Sequence, residues 1–358
     1  MRDRSMRRHQ PPSAKRFVPA AAPLIILIGA LGGCASGDSA IFGPVDPGLA
    51  WPLPPATPRI FYVGQLESSA DLKEGRSLGE VIFGADDSHS MLSPYAICTD
   101  AQERVFVADS NAQCVHVFDL RRRTYKSWAI AGADARLAQP VGIAWDDGPP
   151  RRLLVADSVA GTVFVFDDSG RFRGDLGGEY VQRPAGLAID RARGRLIIAD
   201  PGAHRIAVLD LNGRLIRHVG ERGIEPGQFN FPTNVAVDRD GFLYVSDSLN
   251  FRVQVFDTDF RPAGQIGGYG DMPGYFSQPK GVAVSSAGHI YVVDAQFEAV
   301  QVFSRDGTLL LPFGHEGTGP GEFWLPAGIH IDRNDRIWIA DTYNRRVQVF
   351  DYRAETDP

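Results

Sequence analysis

Residues 326–351, PAGIHIDRNDRIWIADTYNRRVQVFD, decide the fold. The spacing predicts three strands, over 328–331, 337–340 and 347–350, with turns at 332–335 and 341–345. Apolar and polar residues alternate through Arg346, Val347, Gln348 and Val349, and Asn and Asp sit at the turns. Alternation with period two, broken by Asx-rich turns, is the pattern of short half-buried strands. A meander of a few strands exposes an apolar face and does not stand alone. The rest of the chain must cover it.

It does so by repetition. The prolines that open each unit (Pro94, Pro140, Pro184, Pro232, Pro279 and Pro326) follow one another at 44 to 48 residues. The aspartates that end each second strand (Asp109, Asp157, Asp200, Asp247, Asp294 and Asp341) follow at 43 to 48. The third strands VHVFD, VFVFD, IAVLD, VQVFD, VQVFS and VQVFD start at Val115, Val163, Ile206, Val253, Val300 and Val347. Units of this period with four short strands are propeller blades. The expected fold is all-β, a six-bladed β-propeller with four-stranded blades. The last unit stops at Asp351 without a fourth strand, whereas 59–66, RIFYVGQL, reads as a strand with no repeat of its own. The expectation is that 59–66 completes the last blade, which closes the ring and removes an unpaired edge. The propeller then spans 59–353, with a rim insertion at 70–92 carrying a short helix near 78–83, and a tail at 354–358.

The pattern P-x-G-[IVL]-A-[VI]-D, then [IL]-x-[IV]-[AS]-D, then N-x-R-V-Q-V-F-D resembles the NHL repeat. It is clearest in the units opened by Pro232 and Pro326, with Asn250/Arg252 and Asn344/Arg346. Other units depart from it, with Gly161/Thr162 and Glu298/Ala299 in those places. The resemblance covers about 260 residues. It implies a fold rather than a function, because one fold hosts many chemistries. The repeated Asp reads as scaffold, an acceptor for the N–H groups of the next turn. The Arg after the Asn reads as a bond to polar groups of a neighbouring turn. Pro226-Gly227-x-Phe229, Pro273-Gly274-x-Phe276 and Pro320-Gly321-x-Phe323 recur between blades, and each Phe is expected to wedge between neighbours.

The amino terminus has a different character. Residues 1–16 are basic and polar, 17–31 are apolar but broken by Pro19 and Pro23, and Leu31-Gly32-Gly33-Cys34 follows. That order is the layout of an export signal, and the run is short for a spanning helix. Leu-Gly-Gly-Cys resembles the lipobox of bacterial lipoproteins. The resemblance implies cleavage after residue 33, lipidation of Cys34, and acyl chains that anchor the protein. Ala35 rather than Asp at the following position implies the outer membrane, facing the periplasm, by resemblance to the lipoprotein sorting rule. Residues 34–58 then read as a lipidated cysteine and a Pro-rich tether. The full chain carries −6, but residues 1–33 hold six basic groups and one acid, so the remainder holds 31 basic against 42 acidic, a net of −11. That field repels nucleic acid.

No catalytic constellation is legible. Cys98 and Cys114 fall on the first and third strands of one blade, about 9–10 Å apart by strand spacing, which is beyond disulfide reach. His330 is the one histidine on a first strand, where other blades carry Cys98, Ala144, Ala188, Ala236 and Ala283. One His cannot build a three-ligand zinc site. No cofactor is called for, although a calcium or zinc ion in the central channel is left open. The informative variation lies in the loops. The fourth residue after each repeat Asp differs in every blade: Gln113, Gly161, His204, Phe251, Glu298, Arg345. A scaffold position that changes in each copy is where specificity can reside. The candidate partner-binding residues are therefore His204, Phe251, Tyr269, Phe297, Glu298, Trp324, Tyr343 and Arg345. The expectation is a monomeric, membrane-anchored binding or scaffold module offering a loop face to a protein, peptide or glycan. The alternative is a metal-dependent propeller hydrolase or lyase, with His330 and Asp341 as first suspects.

Overall fold

The computed structural model describes residues 41–42, 48–73, 89–129 and 136–353. The export segment, Cys34, the expected helix at 78–83 and the tail at 354–358 lie outside them. Six sheets stand around a central channel, and five of them are meanders of four consecutive antiparallel strands. Blade I opens with Pro94–Thr99, blade II with Pro140–Asp146, blade III with Leu187–Asp190, blade IV with Pro232–Val237 and blade V with Pro279–Val284. Blade VI is built from both ends of the chain. Its inner three strands are Ile329–Ile331, Arg336–Asp341 and Arg346–Tyr352, and Ile60–Leu66 is its outer strand. The register runs from Ile60 opposite Tyr352 to Leu66 opposite Val347. Ring closure by the amino-terminal strand is thus as the repeat count requires.

The sheet does not stop there. Ala50–Trp51 adds a fifth strand outside Ile60–Leu66. Trp51 lies 6.0 Å from Phe313 and 5.9 Å from Phe350, and Phe42 meets the Trp338 ring edge-on at 5.8 Å. Part of the stretch read as tether therefore packs on the propeller, because its aromatics find apolar partners there. In the segment before blade I, Ser69–Leu72 forms a single 3-10 turn, capped by Ser68 and Asp71.

The core is a ring of six clusters, each filling a junction between adjacent blades. The three repeated phenylalanines sit in these junctions. Phe229, Phe276 and Phe323 are fully buried, 5.7, 5.6 and 6.0 Å from Phe256, Phe303 and Phe350. Their Pro-Gly turns place Gly227, Gly274 and Gly321 at φ of 82°, 94° and 78°, a left-handed conformation that favours glycine.

The strand order gives the ring two faces. Connections from second to third strands and between blades lie on one, termed the loop face. Turns from first to second and from third to outer strands lie on the other, the turn face.

Candidate functional site on the loop face

The six repeated aspartates organise the loop face. All six are fully buried. In blade V, Asp294 accepts from the backbone N–H groups of Ser277, Gln278, Gln296 and Phe297. Those bonds tie the incoming connection to the following turn, as the scaffold reading requires. In blades IV and VI the same carboxylate also receives an Asn, an Arg and a Gln. Asp247 takes Asn250 Nδ2 at 2.8 Å, Arg252 Nε at 2.9 Å and Gln254 Nε2 at 3.2 Å. Arg252 passes on to the carbonyls of Glu225 and Gln228, in the Pro-Gly connection. Asn344, Arg346 and Gln348 repeat the arrangement around Asp341. Asp341 is therefore saturated by scaffold groups rather than poised for catalysis.

The variable position has a common geometry that its six different residues conceal. Gln113, Gly161, His204, Phe251, Glu298 and Arg345 all have positive φ, between 52° and 69°. A non-glycine residue in this region carries a strain of roughly 1–2 kcal/mol. In four blades the side chain spans to the next connection. Gln113 Nε2 donates to the Ala138 carbonyl at 3.1 Å, His204 Nδ1 accepts from Phe231 N at 3.2 Å, and Glu298 Oε1 accepts from Leu325 N at 3.3 Å. The Phe251 ring meets Tyr269 edge-on at 4.8 Å. Burial pushes the Glu298 carboxyl up from the usual carboxylate range.

The candidate residues form an arc over blades III to VI. His204 reaches the entry to blade IV, Phe251 and Tyr269 pair at the IV–V junction, and Glu298 bonds the residue next to Trp324. Trp324 and Tyr343 lie 5.6 Å apart, tied by Tyr343 N to Trp324 O. Phe297 is half-buried and Arg345 exposed. Sequence reasoning missed several neighbours. Leu92, Val159, Ile224, Leu249, Met272 and Tyr275 are all exposed on this same face. Of the twelve exposed large apolar residues among the described residues, nine lie in loop-face connections. A signal existed: Ile224, Met272 and Tyr275 interrupt otherwise polar Gly-Pro turns, where an apolar residue has no core to fill.

The central channel is a different environment. It is a cavity of about 270 Å³, walled largely by first-strand backbone and small or aliphatic side chains. His330 projects into it and shares a 3.0 Å hydrogen bond with Thr99 Oγ1. Burial lowers its pKa to about 4, so the ring is neutral. Among the described residues no group of three or more His, Cys, Asp or Glu is placed to hold a metal. Among them His330 thus has no side-chain partners of the kind a three-ligand zinc site uses. Cys98 and Cys114 are free and buried. Burial pushes the Cys114 thiol up to about 12, which makes it inert.

Comparison with known proteins agrees with this architecture. A family model described as a 6-bladed beta-propeller matches residues 275–356, and one for the NHL repeat matches 229–256. NHL repeat-containing protein 2 of Gallus gallus is 31% identical over 220 residues, 49% of this chain and 30% of that protein. The chain thus spans under a third of the curated relatives it matches. An auxiliary nutrient binding protein from Bacteroides ovatus superposes with a TM-score of 0.58 at 13% identity, covering 75% of this chain and 71% of its own. Virginiamycin B lyase from Staphylococcus aureus gives 0.52 at 13% identity, covering 72% and 94%. At such identities the structural likeness speaks to fold alone. The chain is a six-bladed β-propeller, with a match to the NHL repeat over residues 229–256.

Proposed function

We propose that this protein is a binding or scaffold module of the bacterial cell envelope. In this reading lipid on Cys34 holds it at the outer membrane, and the loop face meets a protein, peptide or glycan. The observation that carries the reading is the concentration of exposed apolar side chains on that face, Tyr269 and Tyr343 at 77% and 57% exposure among them. Apolar side chains gathered on one face in this way mark interaction sites, and aromatic anchors dominate binding energy where they become buried. The auxiliary nutrient binding protein from Bacteroides ovatus is an example of a similar fold whose described role is binding. The saturated aspartates and neutral channel histidine give the catalytic alternative no comparable support.

Site-directed photo-crosslinking in intact envelopes tests the reading. A photoreactive residue is placed at Tyr269, at Tyr343 and, as a control, at Ile216 on the outer strand Leu215–Val219. The expected result is a common adduct from the first two positions and none from Ile216. Adducts indifferent to position, or none from either tyrosine position, would count against a loop-face partner. In parallel, Cys34→Ser should move the protein from the membrane to the soluble fraction, and persistence in the membrane would remove the lipid anchor from the proposal.

A further inference from the structure

A second site lies on the flank of the ring, at the junction of blades V and VI, and it follows from how the ring closes. Arginines latch the four preceding junctions on the turn face. Arg104 bonds the Asp168 carbonyl, Arg152 the Leu211 carbonyl and Arg195 the Thr258 carbonyl, each reaching the third-to-outer turn of the next blade. Between blades IV and V, Arg305 pairs with Asp238 and Asp240. Blade VI has no such turn, because its outer strand arrives from the amino terminus. In blade V the latch position holds His289 instead of arginine.

A further substitution sits beneath it. Tyr244 in blade IV and Trp338 in blade VI occupy the same second-strand position, and each donates to a carboxylate of its own first turn, Asp238 or Asp332. Blade V has Tyr291 at this position and Ser285 in place of the carboxylate. Ser285 Oγ is engaged by His289 N. The Tyr291 hydroxyl and His289 Nδ1 are consequently buried without a hydrogen-bond partner among the described residues. Leaving a buried polar group unpaired is unfavourable, and these two belong to residues only two apart in sequence.

Both residues line a cavity of about 580 Å³, within the usual size range of small-molecule sites. Pro52, Ile60, Val302, Leu311 and Pro312 make its walls apolar, and Arg59 also lines it. We propose that this cavity binds a small monocarboxylate with an apolar body, its carboxylate accepting from the Tyr291 hydroxyl and facing His289 and Arg59. Burial holds the phenol protonated, as a donor. The apolar body replaces water along the walls, and the carboxylate satisfies a donor that the fold leaves unmatched. The site is independent of the loop face.

The test uses octanoate as probe, with octylamine as a control of similar length and opposite charge, followed by calorimetry and by the His289 ring signals in NMR. Tyr291→Phe is the deciding variant. It removes an unpartnered atom and nothing else, so the ligand-free protein should unfold at the same temperature or higher. The expected result is saturable octanoate binding that moves the His289 signals, at least tenfold weaker in Tyr291→Phe, with no binding of octylamine. Absence of saturable binding, equal binding to the variant, or equal binding of octylamine would each overturn the proposal. A lower unfolding temperature for Tyr291→Phe would do so too, since the hydroxyl would then be serving the fold.

Discussion

At the scale of single residues, His330 offers the sharpest measurement. Its imidazole titrates near 6.5 when unfolded and near 4 in the channel wall, because burial penalises the charged form. Between those values the unfolded chain binds a proton that the folded chain refuses. Stability therefore falls as pH drops from 6.5 toward 4 and levels off below, where both states are protonated. The shift corresponds to at most about 3 kcal/mol, and less where channel water reaches the ring. His330→Gln should flatten this part of the profile. Urea midpoints for wild type and variant, followed from pH 7 to 4.5, should diverge; parallel curves would show that His330 does not carry the effect. The residue scale is also where the sequence was least legible. The repeated Asp announced its scaffold role by recurrence. The position four residues later looked like free variation, although every copy stands in the left-handed region. Six side chains as different as Gln113, Phe251 and Arg345 give no hint of a shared backbone, because φ leaves no compositional trace unless glycine fills the place, as Gly161 does once.

At the scale of elements, the first strands set the bore of the channel, and glycine sets their approach. A Cβ at Gly328 would lie 2.4 Å from the Tyr95 carbonyl oxygen, and one at Gly142 would lie 1.9 Å from that of Ala185. In both cases the obstacle is backbone of the adjacent blade, in or just before its first strand, which cannot rotate away. Gly328→Ala should therefore cost at least the 1–3 kcal/mol typical of overpacking, roughly, and lower the unfolding temperature by several degrees. Gly264 on the outer strand Pro262–Ile266 provides the contrast. A Cβ there meets only Val255 at an ordinary 3.8 Å. Gly264→Ala should be neutral or stabilising by up to about 1 kcal/mol, through the unfolded state. Paired thermal melts check both, and equal effects would refute the close-approach argument. Elements were the most legible level. Period-two alternation and the Pro and Asp landmarks placed the strands, and the Pro-Gly-x-Phe motif marked the wedges at Phe229, Phe276 and Phe323. The arginine latches of the turn face left no motif, since each joins residues far apart in sequence, as Arg195 and Thr258 are.

At the scale of the whole molecule, stability rests on closing the ring between chain ends almost 300 residues apart. The missing fourth strand of the last repeat and the orphan strand before the first one made closure readable. The fifth strand, Ala50–Trp51, was not readable, because a Pro-rich stretch with one tryptophan looks like linker. The two strands should differ in kind of effect. Without Ile60–Leu66 the edge of Arg346–Tyr352 is bare, and the apolar face over Phe350 loses its cover. A chain beginning at residue 67 should fail to fold cooperatively and should associate through that edge. A chain beginning at residue 59 keeps the closing strand but loses Trp51 from between Phe313 and Phe350. It should remain a closed propeller, destabilised by about 3–5 kcal/mol, the range for removing a packed aromatic. Circular dichroism melts with size-exclusion chromatography separate the cases. Two cooperative, monomeric melts differing only in midpoint would mean that the ring does not depend on its closing strand. A chain from residue 59 as stable as one from residue 48 would mean that Trp51 covers the junction without supporting it.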